Sequence, residues 1–249
     1  MVCQHRRGSY CGRASLAVND LTDPNTRTPD MGTSRGPFEP EFSELPHQIP
    51  IFPLSGALLL PGGRLPLNIF EPRYLSMVRD AMAQPHRLIG MIQSRDESEQ
   101  EALYHIGCAG RISSYSETDD GRMVITLSGT SRFRLLDCEN AEDGYHLARV
   151  SWTDFKADLT LTETQIDRDH LIDVLRHYFK LKGYTVDWDH IQDCEDERLV
   201  STLSMICPFE VSEKQALLES PDLAARAELL VAILEMASHS EHDEQGAKH

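Results

Sequence analysis

The feature that most constrains the fold is a change of hydrophobic period near Asp158 in a chain of 249 residues. Between Ile49 and Trp152, short apolar runs alternate with turn residues, which is typical of β-strands. Beyond Asp158, apolar residues recur every three or four positions, as on the buried face of a helix. The sequence therefore predicts an α+β fold in which a β-rich unit precedes a helical unit.

The β-rich unit is predicted to consist of strands interrupted by one helix. Asp119–Arg122, with the sequence DDGR, predicts a tight hairpin because Asp-Gly tolerates the backbone of a type I′ turn. Pro72 predicts the first position of the helix, where a missing N–H costs nothing. The predicted strands are Ile49–Leu54, Arg64–Phe70, Arg87–Gln93, Tyr104–Ile112, Met123–Ser128, Arg132–Asp137 and Tyr145–Trp152.

The helical unit is predicted to contain four helices, whose starts are marked by polar residues. Thr162 with Gln165, and Ser212 with Gln215, match the capping-box pattern. Ser220, which precedes a proline, predicts the N-cap of the last helix.

Polar and turn-forming residues without a sustained period predict disorder at both ends of the chain. We expect a disordered leader over 1–45, with Met31 as a candidate true start, and a disordered tail over 239–249. The β-rich unit then spans 46–158 and the helical unit spans 159–238.

Charge and cysteine usage restrict the partners and the compartment. The chain carries 24 Lys and Arg against 40 Asp and Glu, a net charge of −16 that disfavours binding to nucleic acids. No unbroken apolar run, such as Ala57–Leu60 or Leu229–Leu234, approaches the ~20 residues that cross a bilayer, so no membrane partner is expected. The six cysteines form no Cys-x-x-Cys pair and no secretory signal is evident, which indicates a cytoplasmic protein with reduced thiols.

The sequence offers no catalytic constellation. It contains neither the GxxxxGK[ST] loop that cradles phosphates nor the GxSxG turn of serine hydrolases. None of the five lysines lies in a sequence context apolar enough to predict a depressed pKa, so a Ser–Lys dyad is not expected. We therefore predict a protein that is not an enzyme and needs no cofactor.

One group of potential metal ligands stands out. His170, Asp173 and His177 are spaced to share one face of a helix, and these residue types bind zinc. No fourth ligand is identifiable, and the same positions border the apolar stripe of the helix. We prefer the interpretation as helix-boundary residues, which predicts no metal, and retain a metal-dependent enzyme as an alternative.

A basic group on the strands provides a second alternative. Arg132 and Arg134 flank Phe133 and are predicted to share one face of a strand, where Arg111 is a candidate to join them. Arginines beside an aromatic residue are suited to RNA contacts. The net charge of the chain opposes this interpretation.

The stretch Ile49–Tyr74, IPIFPLSGALLLPGGRLPLNIFEPRY, resembles the start of the N-terminal domain of the Lon protease family. The resemblance continues through GTSRFRLL at Gly129–Leu136 and through Pro208–Glu235. It implies a PUA-like mixed β-barrel followed by a C-terminal helical bundle. The chain ends before the ATPase and Ser–Lys protease domains of that family, so it is most similar to a bacterial stand-alone Lon substrate-binding-domain protein.

The resemblance implies a non-catalytic protein that binds unfolded or partner polypeptides, with a separate protease as a candidate partner. An RNA-binding PUA-like module is the alternative. Within the matching motif, Phe70, Glu71, Arg73 and Tyr74 are the candidate polypeptide contacts. A structural role is the competing interpretation, in which Phe70 and Tyr74 pack beneath the helix that Pro72 opens.

Overall fold

The fold is α+β, a mixed six-stranded sheet accompanied by helices. The structure is a computed structural model, and it describes residues 40–95, 102–160 and 164–246. Met31, most of the predicted leader and Thr162 lie outside these residues. The strands are β1 (Gln48–Pro53), β2 (Arg64–Ile69), β3 (Leu88–Ile92), β4 (Ile106–Glu117), β5 (Met123–Asn140) and β6 (His146–Ser151).

The strand pairings form a ring. The order in the sheet is β2-β5-β4-β3-β1-β6, and β6 pairs again with β5. The pairing of β1 with β3 is parallel and the others are antiparallel. Five strands are therefore joined in a closed cycle, while β2 extends from it as an end strand.

The longest strand, β5, joins two strands that the sequence predicts as separate. Met123–Ser128 pairs with β2, and the far end of β5, from Arg134 to Asn140, pairs with β6. The intervening GTS sequence stays extended, with a register shift in the pairing to β4 next to Gly129. The predicted hairpin at Asp119–Arg122 connects β4 to β5, with Gly121 at φ +81°.

Gly129 allows β5 to lie directly against the chain that enters β2. Its N–H donates to the carbonyl of Gly63 over 2.8 Å, and its carbonyl accepts from the N–H of Gly62 over 3.0 Å. A Cβ atom at residue 129 would lie 1.9 Å from the carbonyl oxygen of Leu60. Both segments contribute backbone atoms to this contact, so neither can rotate away as a side chain could.

Phe133 fills the interior of the strand ring. It is fully buried in a cluster formed by residues of β1, β3, β4, β5 and β6. Gly90 and Gly107 pass directly beside its ring, since an added Cβ at either would lie within 3.0 Å of a Phe133 ring atom. These two glycines create the space that the aromatic ring occupies.

The helices pack on a second and larger hydrophobic cluster, which includes α1 between β2 and β3. Five helices follow the strands in the described part of the chain, one more than predicted. The helices are α1 (Pro72–Ala83), α2 (Arg168–Lys182), α3 (Trp188–Asp193), α4 (Asp196–Ile206), α5 (Val211–Glu219) and α6 (Leu223–Gly246). α6 extends into the segment 239–249 that the sequence predicts as a disordered tail. None of the helices in these residues is long and apolar enough to span a membrane.

The starts of the helices differ from the predicted caps. Asp167 caps α2 by accepting a hydrogen bond from the N–H of His170. The capping box of α5 is formed by Glu210 and Glu213, because Gln215 is buried and bonds to the sheet instead.

The last helix also has a different cap. Asp222 accepts a hydrogen bond from the N–H of Ala225, whereas the hydroxyl of Ser220 donates back to Ala216 in α5. Ser220 therefore belongs to the end of one helix rather than to the start of the next.

Arg132 in β5 joins the sheet to the helices. Its guanidinium forms a buried ion pair with Asp158 at 2.7 Å, where the two side chains are 4% and 7% exposed. The same guanidinium donates to the carbonyls of Leu218, Ser220 and Pro221, which connect α5 to α6. One side chain on the sheet thus satisfies polar groups from two other parts of the chain.

We expect the Arg132→Met variant to lose about 3 to 5 kcal/mol of unfolding free energy, because Asp158 then loses the ion pair and hydrogen bonds that compensate its burial. Urea denaturation measures this loss. The matched control is Arg134→Met on the same strand, whose pair with Asp154 at 2.8 Å is 45% and 49% exposed. Its removal should cost at most about 1 kcal/mol. Equal losses in the two variants would contradict the structural role of Arg132.

We expect Gly129→Ala to destabilise the protein far more than Gly121→Ala. The first substitution forces the backbone of Leu60 away from β5, whereas a Cβ at Gly121 meets no atom within 4 Å. Gly121→Ala introduces only the strain of an alanine at a positive φ, which costs about 1 kcal/mol. Thermal unfolding of the two variants compares the effects, and similar melting temperatures would contradict the close approach.

Candidate functional site

The predicted contact residues lie where β2 ends and α1 begins. Glu71 occupies the N-cap position with extended backbone, and Pro72 is the first helical residue, as predicted. The Arg73 guanidinium pairs with the Glu71 carboxylate at 2.9 Å and lies 4.5 Å from the centroid of the Tyr74 ring. The side chains on either side of Pro72 are thereby fixed to one another.

Tyr74 anchors this turn in the core. It is 5% exposed, and its ring lies 4.3 Å from that of Phe52 in β1. Burial raises the pKa of the Tyr74 phenol, an effect that the nearby Arg73 charge partly offsets. The position of Tyr74 therefore agrees with a structural role, in which it packs beneath the helix.

Phe70 does not pack beneath the helix as the structural interpretation expects. It is 64% exposed, whereas Ile69 beside it is 2% exposed. Successive residues of an extended chain point to opposite sides, so the burial of Ile69 directs Phe70 outward. A large aromatic side chain is thus displayed on a turn that Tyr74 and the Arg73–Glu71 pair hold in place.

Other apolar residues are exposed on the same outer face of β2 and β5 as Phe70. Asn68 is paired with Val124, which is 42% exposed, and the exposed Pro66 is paired with Thr126. Continuing the register by one step places Phe70 diagonal to Val124, a separation of about 7 to 8 Å. We call the exposed set Pro66, Phe70 and Val124 the Phe70 patch.

The free edge of β2 is poorly suited to pairing with another strand. Among the described residues β2 pairs with β5 alone. Pro66 removes one backbone donor from this short end strand, a feature that natural edge strands use against strand addition. A polypeptide bound here would be held by side-chain contacts rather than by extension of the sheet.

A cavity of about 420 Å³ lies at the other end of α1. It is bounded by the last turns of α1 and by β1 and β6, and its lining includes Pro50, Asp80 and Leu147. The Tyr145 hydroxyl, also in the lining, donates to Oδ2 of Asp80 over 2.7 Å. Burial, together with this hydrogen bond and the carboxylate charge, raises the pKa of Tyr145 to about 12.

The candidate RNA contacts do not form an open basic face. Arg132 is 4% exposed and is fully engaged with Asp158 and backbone carbonyls. Arg134 is paired with Asp154, and Arg111 lies in β4 and is partly buried. Arg132 and Arg134 do face the same 3₁₀ helix, Thr153–Leu159, and each pairs with one of its aspartates.

The candidate metal ligands on α2 are exposed and do not form a cluster. His170 faces Glu235 of α6, with 3.7 Å between Nε2 and Oε1. Within the part of the chain that the structure describes, no group of three or more His, Cys, Asp or Glu side chains is arranged to hold a metal ion.

The expectation that no lysine lies in an apolar environment is wrong for Lys214. It is 8% exposed on α5, and burial lowers the pKa of its ammonium group. Its Nζ donates to the carbonyl of Gly56 over 2.7 Å. The environment arises from the packing of α5 on the loop before β2, which the local sequence around Lys214 does not indicate. Because its partner is a backbone carbonyl, the contact does not make a Ser–Lys dyad.

Comparison with known proteins identifies the family. A family model described as the ATP-dependent protease La (LON) substrate-binding domain matches residues 48–236, so the chain belongs to this family. It is 26% identical over 208 residues to a Lon protease of Clostridioides difficile (strain 630), covering 79% of this chain and 26% of that protein. It is 32% identical over 106 residues to protein cereblon of Xenopus tropicalis, covering 41% and 23% respectively. The chain thus spans about a quarter of the length of these relatives.

Solved structures show the same fold. The Lon N-terminal domain protein from Xanthomonas campestris aligns with a TM-score of 0.53 and 24% identity, over 74% of this chain and 97% of that one. The N-terminal domain of a Mycobacterium avium complex Lon protease aligns with a TM-score of 0.52 and 12% identity, over 76% and 98%.

We expect the unfolding free energy of the Tyr145→Phe variant to decrease less steeply at alkaline pH than that of the wild-type protein. The pKa of Tyr145 is raised from 10.0 to about 12, so its neutral form is favoured in the folded state. The resulting stability is fully present below pH ~10, where both states are protonated, and is lost as the pH rises towards 12. Urea unfolding across this range measures the difference. Tyr104→Phe, outside the cavity, is the control, and identical pH profiles for wild type and Tyr145→Phe would contradict the assignment.

Proposed function

We propose that this chain is a non-catalytic module that binds exposed apolar segments of unfolded or partner polypeptides through the Phe70 patch. The observation that carries the proposal is Phe70 itself, 64% exposed on a fixed turn in a member of a substrate-binding family. The family model that matches the chain describes substrate binding and covers neither an ATPase nor a protease domain. Relatives of this chain are named as Lon proteases. We therefore propose that a separate protease receives the bound clients.

We further propose that the strand ring is the β-barrel of a PUA-like fold and that α2 to α6 form its helical bundle. The closed cycle of pairings among β1, β3, β4, β5 and β6 supports the first assignment. Contacts of α6 with α2, α4 and α5 support the second. We place the protein in the cytoplasm, which is supported by the free thiols of all the cysteines in the described residues.

The affinity expected from the Phe70 patch is modest. Burying a whole phenylalanine side chain contributes about 1.5 to 3 kcal/mol, and roughly two thirds of Phe70 is available for burial. Pro66 and Val124 add smaller areas. Weak and reversible binding suits a module that must release its clients.

We expect Phe70→Ala to weaken binding of an unfolded client about tenfold, because the substitution removes most of the apolar area of the patch. Leu136→Ala is the matched control, since Leu136 is 55% exposed on β5 but distant in sequence from the patch. Isothermal titration with a reduced and carbamidomethylated protein, compared with the same protein folded, measures both effects.

The client should remain intact after incubation and should bind more tightly when unfolded. Equal affinity for the folded and unfolded client, or equal losses in Phe70→Ala and Leu136→Ala, would contradict the proposal. Cleavage of the client by the purified chain would contradict its non-catalytic character.

A further inference from the structure

The cavity beside Asp80 has the electrostatics of a site for a cation. Asp80 is the one residue with a carboxylate in its lining, and the described lining contains no lysine or arginine. One oxygen of Asp80, Oδ2, accepts the hydrogen bond from Tyr145, and the carboxylate is on the exposed side of α1. His86 is the only lining side chain that can carry a positive charge.

The end of α1 adds to this field. The carbonyl groups of the last helical turn carry a partial negative charge, which basic side chains commonly neutralise. The last turn of α1 contains no basic residue, and the helix ends at Ala83 within the cavity lining. A carboxylate and the carbonyl groups of a helix C-terminus therefore act on the same space.

The walls of the cavity are suited to a long side chain. Pro46, Pro50 and Leu147 supply apolar surface, and Ala81 and Ala83 leave room beside the helix. The volume of about 420 Å³ lies within the range of pockets that hold small ligands. Lysine and arginine combine an apolar stem with a charged end, which matches apolar walls leading to an acidic group.

We propose that this cavity binds a lysine or arginine side chain of the client polypeptide, with the cationic group at Asp80 and the C-terminus of α1. The proposal rests on the proposed function, because the occupant is part of the same client. Phe70 lies two extended residues before α1, and the eight residues from Pro72 to Asp80 rise ~12 Å, so Phe70 and Asp80 are roughly 15 to 19 Å apart. An extended segment of about five residues spans that length. The preferred client therefore carries an apolar residue and a basic residue about five positions apart.

The test uses two unstructured fluorescent peptides that contain one phenylalanine and, five positions away, either lysine or acetyl-lysine. Acetylation removes the charge of the lysine side chain. We expect the wild-type chain to bind the lysine peptide about fivefold more tightly at low salt, with the preference shrinking as salt increases. Fluorescence anisotropy measures both affinities.

Three variants locate the preference. Asp80→Asn should reduce the ratio of the two affinities to about one, while its amide can still accept the Tyr145 hydrogen bond. Asp173→Asn is the charge-matched control on the exposed face of α2, and it should retain the wild-type ratio. Ala83→Trp, at an exposed lining position, should block the cavity and abolish the preference with all charges present. Melting temperatures confirm that each variant is folded.

The outcomes separate the two proposals. A lysine preference that survives both Asp80→Asn and Ala83→Trp overturns the cation site. Equal binding of the two peptides by the wild-type chain also overturns it, while leaving the proposed function standing. If neither peptide binds, both proposals fail. Loss of the preference in Asp80→Asn and Ala83→Trp, but not in Asp173→Asn, supports the site.

Discussion

The structure depends on the buried guanidinium of Arg132. Arg132 lies on β5, and its guanidinium is shared by Asp158, from the 3₁₀ helix after the strands, and by the carbonyls that connect α5 to α6. Burying a charge is unfavourable unless it is paired and hydrogen-bonded, so the arrangement is stable only when all three parts are in place. The same guanidinium lies 4.9 Å from the ring of Phe155, which closes the site on one side. Sheet and helices are thereby held in a single arrangement.

This fixed arrangement positions both proposed contact regions. α1 packs on the core through Tyr74, Met77, Val78 and Ala81, so its two ends are held relative to the sheet. Its N-terminal end displays Phe70, and its C-terminal end closes one side of the Asp80 cavity. A short helix buried along one face thus presents an aromatic group and an acidic group at a set separation. A binding surface built on a packed helix loses little entropy on binding, which favours even weak clients.

Local sequence patterns predict some elements well. The alternation in Arg64–Phe70, the proline at the start of α1 and the Asp-Gly hairpin each depend on neighbouring residues, and the structure contains all three. Cap positions were less predictable, because Gln215 and Ser220 match a capping pattern but have stronger partners elsewhere. The single long strand β5 also escapes local reasoning, since the continuity through Gly129 depends on contact with Leu60 and Gly63.

The amino-acid order alone predicts the α+β arrangement, the resemblance to the Lon N-terminal domain and the region that contains Phe70, Glu71, Arg73 and Tyr74. The packing of distant segments decides which of these side chains is exposed and which is buried. It also decides that Arg132 is internal, that Lys214 is desolvated, and that Asp80 meets Tyr145 across 65 residues of chain. The physical reason is that secondary structure follows from neighbours in sequence, whereas burial and electrostatic environment follow from distant segments packed together.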